Sequence, residues 1–226
     1  CVSCGDMNGF IEVVQKSETI ANITTEYGGS SAVFKKEPLE AWLRQRNNPT
    51  EDGWKLIVEN FARSVSAYCV ATYVLGIGDR HNDNIMLQEC GDLFHIDFGH
   101  FLGNYKKKLG IKRENAAFVF TNMYSHVLNG FESEQFALFK KLSIDAYNII
   151  RKNSNLLMNL LRLMIGTGIP DLQSVDDVSW IQKCVISGKS DEEAGEHFTN
   201  LIHASHGNAR TKIMEYTHII SQNIKK

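Results

Sequence analysis

The sequence predicts an α+β fold that is predominantly helical and has one small β-hairpin in its first half. From Trp54 to Leu75, apolar side chains recur every three or four residues, and the last turns are apolar on nearly every side, as in a central helix. Two short apolar runs, 84–87 and 93–96, flank a Gly-Asp turn, which is typical of a β-hairpin. After Phe118 the pattern is helical almost to the end of the chain.

Length and composition indicate an ordinary globular protein. The 226 residues, 43% of them hydrophobic, fit one sizeable domain or two small ones. The net charge of −2 excludes a globally basic nucleic-acid binder, so any attraction to anions must come from a local patch. The five cysteines form no disulfide framework, which favours a reducing compartment. No uncharged apolar run reaches about 18 residues, so we expect no membrane-spanning segment. The chain begins at Cys1 without a Met, and we expect it to be a piece of a longer protein.

The remaining elements follow from local patterns. Residues 9–14 predict a short strand, 17–20 a short helix or turn, and 37–46 a short helix opened by Pro38. Residues 100–115 are basic and have no clear period. Further helices are predicted at 133–152, 154–166, 174–187, 190–205 and 208–223.

Three polar residues around the hairpin form the pattern that indicates chemistry. Asp79 and Asn84 have the spacing Asp-x-x-x-x-Asn, and an Asp-Phe-Gly tripeptide begins at Asp97. This order is typical of kinase phosphoryl transfer, where two Mg²⁺ ions neutralise the phosphates of ATP and take oxygen ligands such as an amide and a carboxylate. An Asp-Phe-Gly tripeptide alone is common in turns, and a loop Asp can simply cap the next element. The joint occurrence of all three in order favours a kinase.

One detail departs from protein kinases: the loop at 79–81 reads Asp-Arg-His instead of His-Arg-Asp, and no Ala-Pro-Glu follows. The stretches GDRHNDNIM (78–86) and HIDFGH (95–100) closely resemble the catalytic core of phosphoinositide 3-kinases. The resemblance runs through nearly the whole chain and also covers residues 5–14, 68–75, 146–151 and 168–172.

The resemblance implies the domain organisation. Residues 1–226 would form the C-terminal lobe of a lipid kinase domain, a protein-kinase-like lobe whose hairpin carries the catalytic and metal-binding loops. No glycine-rich phosphate loop and no Val-Ala-Ile-Lys strand precede residue 78, so we expect the N-terminal lobe to be absent and the fragment to be inactive alone. Residues 97–118 would be the activation loop. Residues 208–226 would be a regulatory helix that faces the membrane.

The resemblance also implies catalytic roles. Asp79 and His81 would orient and deprotonate the inositol hydroxyl, with His81 the favoured base. Arg80 would organise the loop. Asn84 and Asp97 would hold the metal ions. ATP and Mg²⁺ would be the cofactors, with Mn²⁺ as an alternative ion.

Further residues are implied around the nucleotide. His100 would lie near the transferred phosphate, and a histidine at this position resembles class I phosphoinositide 3-kinases. Met86 and Ile96 would form the floor of the adenine pocket, with Phe94 nearby. For these three residues the alternative is ordinary hairpin core.

A basic segment within the implied activation loop indicates the substrate. It carries five cations in eight residues, namely Lys106, Lys107, Lys108, Lys112 and Arg113. Such a run is usually a solvated surface, but clustered Lys and Arg after a metal-binding Asp can also meet the phosphates of an inositol head group. Both basic clusters resemble class I enzymes. The resemblance therefore implies that phosphatidylinositol 4,5-bisphosphate is phosphorylated on its 3-hydroxyl to the 3,4,5-trisphosphate.

The implied partners are a phosphoinositide lipid at a membrane surface, the chain's own N-terminal lobe and accessory domains, a regulatory subunit and a small GTPase. No nucleic acid is expected. The implied location is the cytoplasm, with recruitment to the inner face of the plasma membrane. Three alternatives stay open: a related protein kinase that acts on peptides, a class II or class III lipid specificity, and a scaffold without chemistry.

Overall fold

The computed structural model describes residues 1–6, 8–29, 35–105, 107–108, 111–112 and 116–206. The strands are β1 (Val2–Gly5), β2 (Asn8–Phe10), β3 (Ser17–Thr19), β4 (Ile85–Gln88), β5 (Leu93–His95), β6 (Lys107–Lys108) and β7 (Ile111–Lys112). The helices are α1 (Ile20–Gly28), α2 (Pro38–Asn47), α3 (Glu51–Val74), α4 (Asn122–Val127), α5 (Glu134–Lys152), α6 (Ser154–Leu163), α7 (Val175–Cys184) and α8 (Asp191–His206). This composition confirms the predicted α+β, predominantly helical fold.

The central helix predicted from the apolar pattern is α3. It begins three residues before the predicted start because the Thr50 side chain accepts a hydrogen bond from the Gly53 amide (3.2 Å) and so caps the first turn. Apolar side chains along the whole helix are buried, and Phe61 and Val65 are almost completely inaccessible to solvent. The helix packs mainly against α5, which in turn packs against α8. Gly76, whose φ is +56°, follows its end and lets the chain turn toward the hairpin.

The predicted hairpin is confirmed as β4 and β5, with Ile85 opposite His95 and Leu87 opposite Leu93. These four side chains are buried. Their alternation with half-exposed neighbours gives the hairpin one face toward α3 and one accessible face.

The segment before the hairpin differs from the prediction. Residues 17–20 were expected to form a short helix or turn, but Ser17–Thr19 is a strand that pairs with β4 and completes a three-stranded antiparallel sheet. The Thr19 side chain then caps α1 by accepting the Asn22 amide hydrogen (3.1 Å). The strand expected over 9–14 ends at Phe10, where it pairs with β1 in a separate hairpin.

The later helices agree with the predictions in position and differ at their ends. The helices α5 and α8 lie within one residue of the predicted limits, whereas α6 and α7 end three residues early. The short helix α4 lies in a region predicted only as generally helical. The predicted helix 208–223 lies outside the described residues.

Aromatic side chains fill the space between α3, α5 and α8. Phe120 stacks on Phe139 with ring centroids 4.9 Å apart, and Tyr147 lies 5.0 Å from Phe198. None of the described helices has the length and apolar character that crossing a membrane requires.

Candidate functional site

The loop between α3 and β4 carries the first half of the site. The Gly78 amide donates to the His100 carbonyl (3.0 Å), and the Leu102 amide donates to the Leu75 carbonyl (2.7 Å). These bonds hold the segment after Asp97 alongside the end of α3. The two motifs that the sequence analysis singled out therefore lie side by side in the fold.

Arg80 joins the two motifs directly. Its guanidinium group donates to the carbonyl oxygens of Gly78 (2.8 Å), Ile96 (2.7 Å) and Asp97. It also lies 5.5 Å from the centre of the Phe98 ring. One planar cation thus binds backbone from the loop before β4 and from the Asp-Phe-Gly segment.

Asn84 and Asp97 are brought together by the hairpin. The Ile96 amide donates to the Asn84 carbonyl (2.9 Å), so Asn84 lies across from the strand end that leads into Asp97. The Asn84 side chain is buried, and its amide nitrogen donates to the Asp79 carbonyl (2.9 Å). That bond leaves the side-chain oxygen of Asn84 as the atom able to coordinate a cation.

Asp79 and Asp97 share an uncommon backbone conformation. Each has a φ of +57°, in the left-handed region that few residues other than glycine, Asn and Asp adopt. Such conformations cost about 1–3 kcal/mol and occur often at functional sites. The surrounding hydrogen bonds from Arg80 and Asn84 hold both residues in place.

The two histidines lie in different surroundings. His81 places its Nδ1 atom 3.6 Å from a carboxylate oxygen of Asp83, and about a quarter of each side chain is exposed. Asp83 is a neighbour that the sequence analysis did not single out. His100 is half-buried, and its carbonyl oxygen accepts the Gly78 amide hydrogen described above.

The three residues predicted for the adenine pocket share the accessible face of the hairpin. Met86 pairs with Phe94 across the two strands, and both are half-buried. Ile96 follows on the same side and is 36% exposed. All three lie outside the described hydrophobic core, to which this hairpin contributes Ile85 and Leu87 among others.

The basic segment is described in part. Strands β6 and β7 pair antiparallel, with Lys107 opposite Lys112 and Lys108 opposite Ile111, so the backbone brings the two basic clusters next to each other. Lys106 and Arg113 lie outside the described residues.

His95 is a neighbour of the site that the sequence analysis missed. Its ring is buried and stacks on Tyr68 at a centroid distance of 4.7 Å. Burial, with the nearby Arg80 charge, lowers the pKa of His95 to about 3. The imidazole is therefore neutral at physiological pH. Its inward position in the alternating hairpin pattern is the sequence feature that predicts burial.

The donor set fits a metal that arrives with a nucleotide. Among the described residues, no group of three or more His, Cys, Asp or Glu side chains is placed to hold a metal ion. Asn84 and Asp97 would supply two oxygen ligands, and Mg²⁺ usually completes its six ligands with phosphate oxygens and water. The residues present therefore fit a divalent cation that is bound together with a nucleotide.

Comparison with known proteins identifies the family. Residues 1–174 match the profile of the family described as "Phosphatidylinositol 3- and 4-kinase". The chain belongs to this family. In this phosphatidylinositol kinase chain, the matched range contains the loop at 78–84, the hairpin and the Asp-Phe-Gly segment.

Relatives of this phosphatidylinositol kinase chain extend the match toward its end. Phosphatidylinositol 3-kinase 1 of Dictyostelium discoideum is 50% identical over 219 residues, which cover 96% of this chain and 14% of the relative. The human phosphatidylinositol 4-phosphate 3-kinase C2 domain-containing subunit beta is 43% identical over 224 residues, 98% of this chain and 14% of the relative. The chain thus spans about a seventh of the length of these relatives.

Proposed function

We propose that the intact protein transfers the γ-phosphate of ATP to the 3-hydroxyl of phosphatidylinositol lipids. The observation that carries this proposal is the Arg80 bridge, which joins the catalytic loop to the Asp-Phe-Gly segment through the carbonyls of Gly78, Ile96 and Asp97. Relatives named as phosphatidylinositol 3-kinases are 50% identical to this chain over the residues that align with it. The site and the relatives support the same reaction.

The proposed roles follow from the chemistry of each group. The inositol hydroxyl oxygen attacks the γ-phosphorus, the bond to the ADP oxygen breaks, and the hydroxyl proton passes to His81. Asp79 orients the hydroxyl. Asn84 and Asp97 would hold Mg²⁺ (or Mn²⁺), which would neutralise charge on the phosphates. His100 is placed for the transferred phosphate.

The accessible face of the hairpin suits the adenine ring of ATP. Met86, Phe94 and Ile96 offer adjacent apolar surface there, and a flat aromatic base is well matched to such a surface. In the intact protein, a bound nucleotide and the N-terminal lobe would cover this exposed apolar face.

We propose phosphatidylinositol 4,5-bisphosphate as the preferred lipid. The pairing of β6 with β7 supports this preference because it sets Lys107 beside Lys112 along the backbone, and clustered cations favour a head group with several phosphates. Lys106, Lys108 and Arg113 belong to the same proposed contact surface. The second candidate is phosphatidylinositol 4-phosphate, which appears in the name of the human relative.

The same proposal covers the surroundings of the domain. Residues 1–226 act as the C-terminal lobe, residues 97–118 as its activation loop and residues 208–226 as a regulatory segment that faces the membrane. The intact protein is cytoplasmic and is recruited to the inner face of the plasma membrane, where a regulatory subunit and a small GTPase are its partners.

The test is a phosphate transfer assay on the intact protein. Labelled ATP and Mg²⁺ are supplied with vesicles of phosphatidylinositol, its 4-phosphate or its 4,5-bisphosphate, and with a peptide mixture. We expect label in the bisphosphate. The Asp97→Asn variant is expected to transfer none, whereas the control Asp176→Asn, at an exposed position in α7, is expected to match the wild type.

Other outcomes would change the proposal in different ways. Label mainly in phosphatidylinositol or its 4-phosphate would support the chemistry and contradict the bisphosphate preference. Label only in peptides would overturn the lipid kinase function itself.

A further inference from the structure

The segment that follows the Asp-Phe-Gly motif is attached to a distant part of the chain. The carboxylate of Asp171, in the loop before α7, accepts a hydrogen bond from the Phe101 amide (3.4 Å) and another from the side-chain amide of Asn104. Asp171 thus binds both ends of the turn formed by residues 101–104. A charged acceptor makes such bonds stronger than those between neutral groups.

Trp180 of α7 packs against the same turn. A Cβ atom added to Gly103 would lie 2.1 Å from the Trp180 ring, and one added to Gly76 would lie 2.5 Å from the indole nitrogen. The indole therefore occupies the space that any larger residue would need at either glycine. The Tyr105 ring also meets Trp180 edge to face, with centroids 5.5 Å apart.

Backbone bonds connect this turn to the start of the catalytic loop. The Gly103 amide donates to the Gly76 carbonyl (3.1 Å), next to the bond from Leu102 to Leu75. Gly78 allows the Tyr105 ring to approach closely, since an added Cβ would lie 2.8 Å from that ring. Residues 100–105 therefore run along the chain that leads into the catalytic loop.

The indole nitrogen of Trp180 completes the connection. It lies 3.4 Å from the Tyr73 carbonyl in the last turn of α3, to which it donates. A single side chain of α7 thus contacts the end of α3, the Gly76 turn and the Gly103 turn together. A displacement of α7 would therefore disturb all three contacts.

We infer that Asp171 and Trp180, which we call the clamp, are positioning residues for lipid preference. This inference rests on the proposed function. The clamp fixes residues 101–105, so the chain leaves Tyr105, just before the basic segment, at a set place relative to Asp97. Cations held in place discriminate between head groups with different numbers of phosphates, whereas the same cations on a loose loop lose part of that discrimination.

The test compares Asp171→Ala with Asp176→Ala in the intact protein. Asp176 is an exposed residue near the clamp, in the first turn of α7, and serves as the matched control. In Asp171→Ala we expect amide hydrogen exchange over residues 101–105 to be at least ~10-fold faster, because local opening no longer breaks these bonds. We also expect the ratio of bisphosphate to phosphatidylinositol turnover to fall by at least ~3-fold, with the KM for ATP within about 2-fold of wild type.

A second variant, Trp180→Phe, tests the other half of the clamp with an aromatic ring retained. It removes the donor to the Tyr73 carbonyl and part of the surface over Gly103, and it should change exchange and lipid ratio in the same direction. Melting temperatures of both variants are measured to separate this effect from unfolding.

The outcomes separate the two proposals. Unchanged exchange over residues 101–105 in both variants would overturn the clamp. Faster exchange with equal loss on every lipid would limit Asp171 and Trp180 to a structural role and overturn the preference argument. A wild-type protein that labels no lipid would overturn the proposed function together with the role in lipid preference, and the exchange data would then describe packing alone.

Discussion

At the scale of single residues, the site depends on one cation that binds backbone. Arg80 satisfies carbonyl oxygens on both sides of the hairpin, and Asn84 binds a third point, the Asp79 carbonyl. The planar guanidinium group presents several donors in fixed directions, which an ammonium group cannot reproduce. The positions of Asp79 and Asp97 therefore depend on the geometry of Arg80 as well as on its charge.

We expect Arg80→Lys to lower phosphate transfer at least ~10-fold, since it would lose hydrogen bonds worth about 1.5–3 kcal/mol each. The measurement is the turnover number of the intact protein with lipid vesicles. Arg63→Lys is the control, because Arg63 is exposed and its side chain pairs with Glu59 one turn earlier on the same helix. Near wild-type turnover in Arg80→Lys would show that the bridge is dispensable.

At the scale of elements, the helices and strands with a strong periodic pattern of apolar residues were predicted correctly. The helix α3 and the hairpin have strong periods of 3.6 and 2, and both were found where expected. The helix α1 was missed because its sequence, IANITTEYG, is rich in β-branched residues that favour helices weakly. Its cap by Thr19 and its packing against α2 compensate.

The link between α5 and α7 gives a prediction for stability. The buried Tyr147 hydroxyl donates to the Cys184 carbonyl at 2.6 Å. We expect Tyr147→Phe to lower the free energy of unfolding by about 1–2 kcal/mol at pH 8. Urea unfolding measures this free energy, and hydrogen exchange in α5 and α7 shows whether the loss is local to the two helices. The Tyr27 hydroxyl donates to the Gln45 side chain at the surface, so Tyr27→Phe should lower the free energy of unfolding by less.

The same link has a pH dependence. Burial raises the pKa of Tyr147 to about 12, above its ordinary value near 10. The neutral phenol therefore stabilises the fold fully below pH 10, and this stabilisation is lost as the pH rises toward 12. The difference between the wild type and Tyr147→Phe should narrow over that range. A constant difference would contradict the assignment.

At the scale of the whole molecule, the site combines parts that are distant in sequence. The order of Asp79, Asn84 and Asp97 along the chain was enough to predict the chemistry. The contacts of Asp171 and Trp180 with residues 101–105 were not predicted, because they join positions about 70 residues apart. Local patterns carry no information about which distant loop completes a packed core.

Cysteine chemistry tests the packing of the whole core. Cys69 and Cys184 are buried, and desolvation raises the pKa of each thiol, that of Cys184 to about 12. Cys90 is exposed in the hairpin turn. In the intact protein at pH 7.5, we expect iodoacetamide to alkylate Cys90 at least ~100-fold faster than either buried thiol, because the thiolate is the reactive form.

Peptide mass spectrometry reads out this experiment, and urea provides the control by equalising the three rates. Equal rates without urea would mean that the interface between α3 and α7 opens readily. The clamp would then lack the rigid support on which it depends.

The left-handed backbone at Asp79 and Asp97 has a consequence for divergence after gene duplication. Asn adopts this conformation about as readily as Asp, and one nucleotide change converts either codon. A duplicated copy of this chain can therefore lose both carboxylates while every helix and strand stays where it is. Its descendants would keep the shape and surface of a kinase, available for binding partners, long after they had ceased to use ATP.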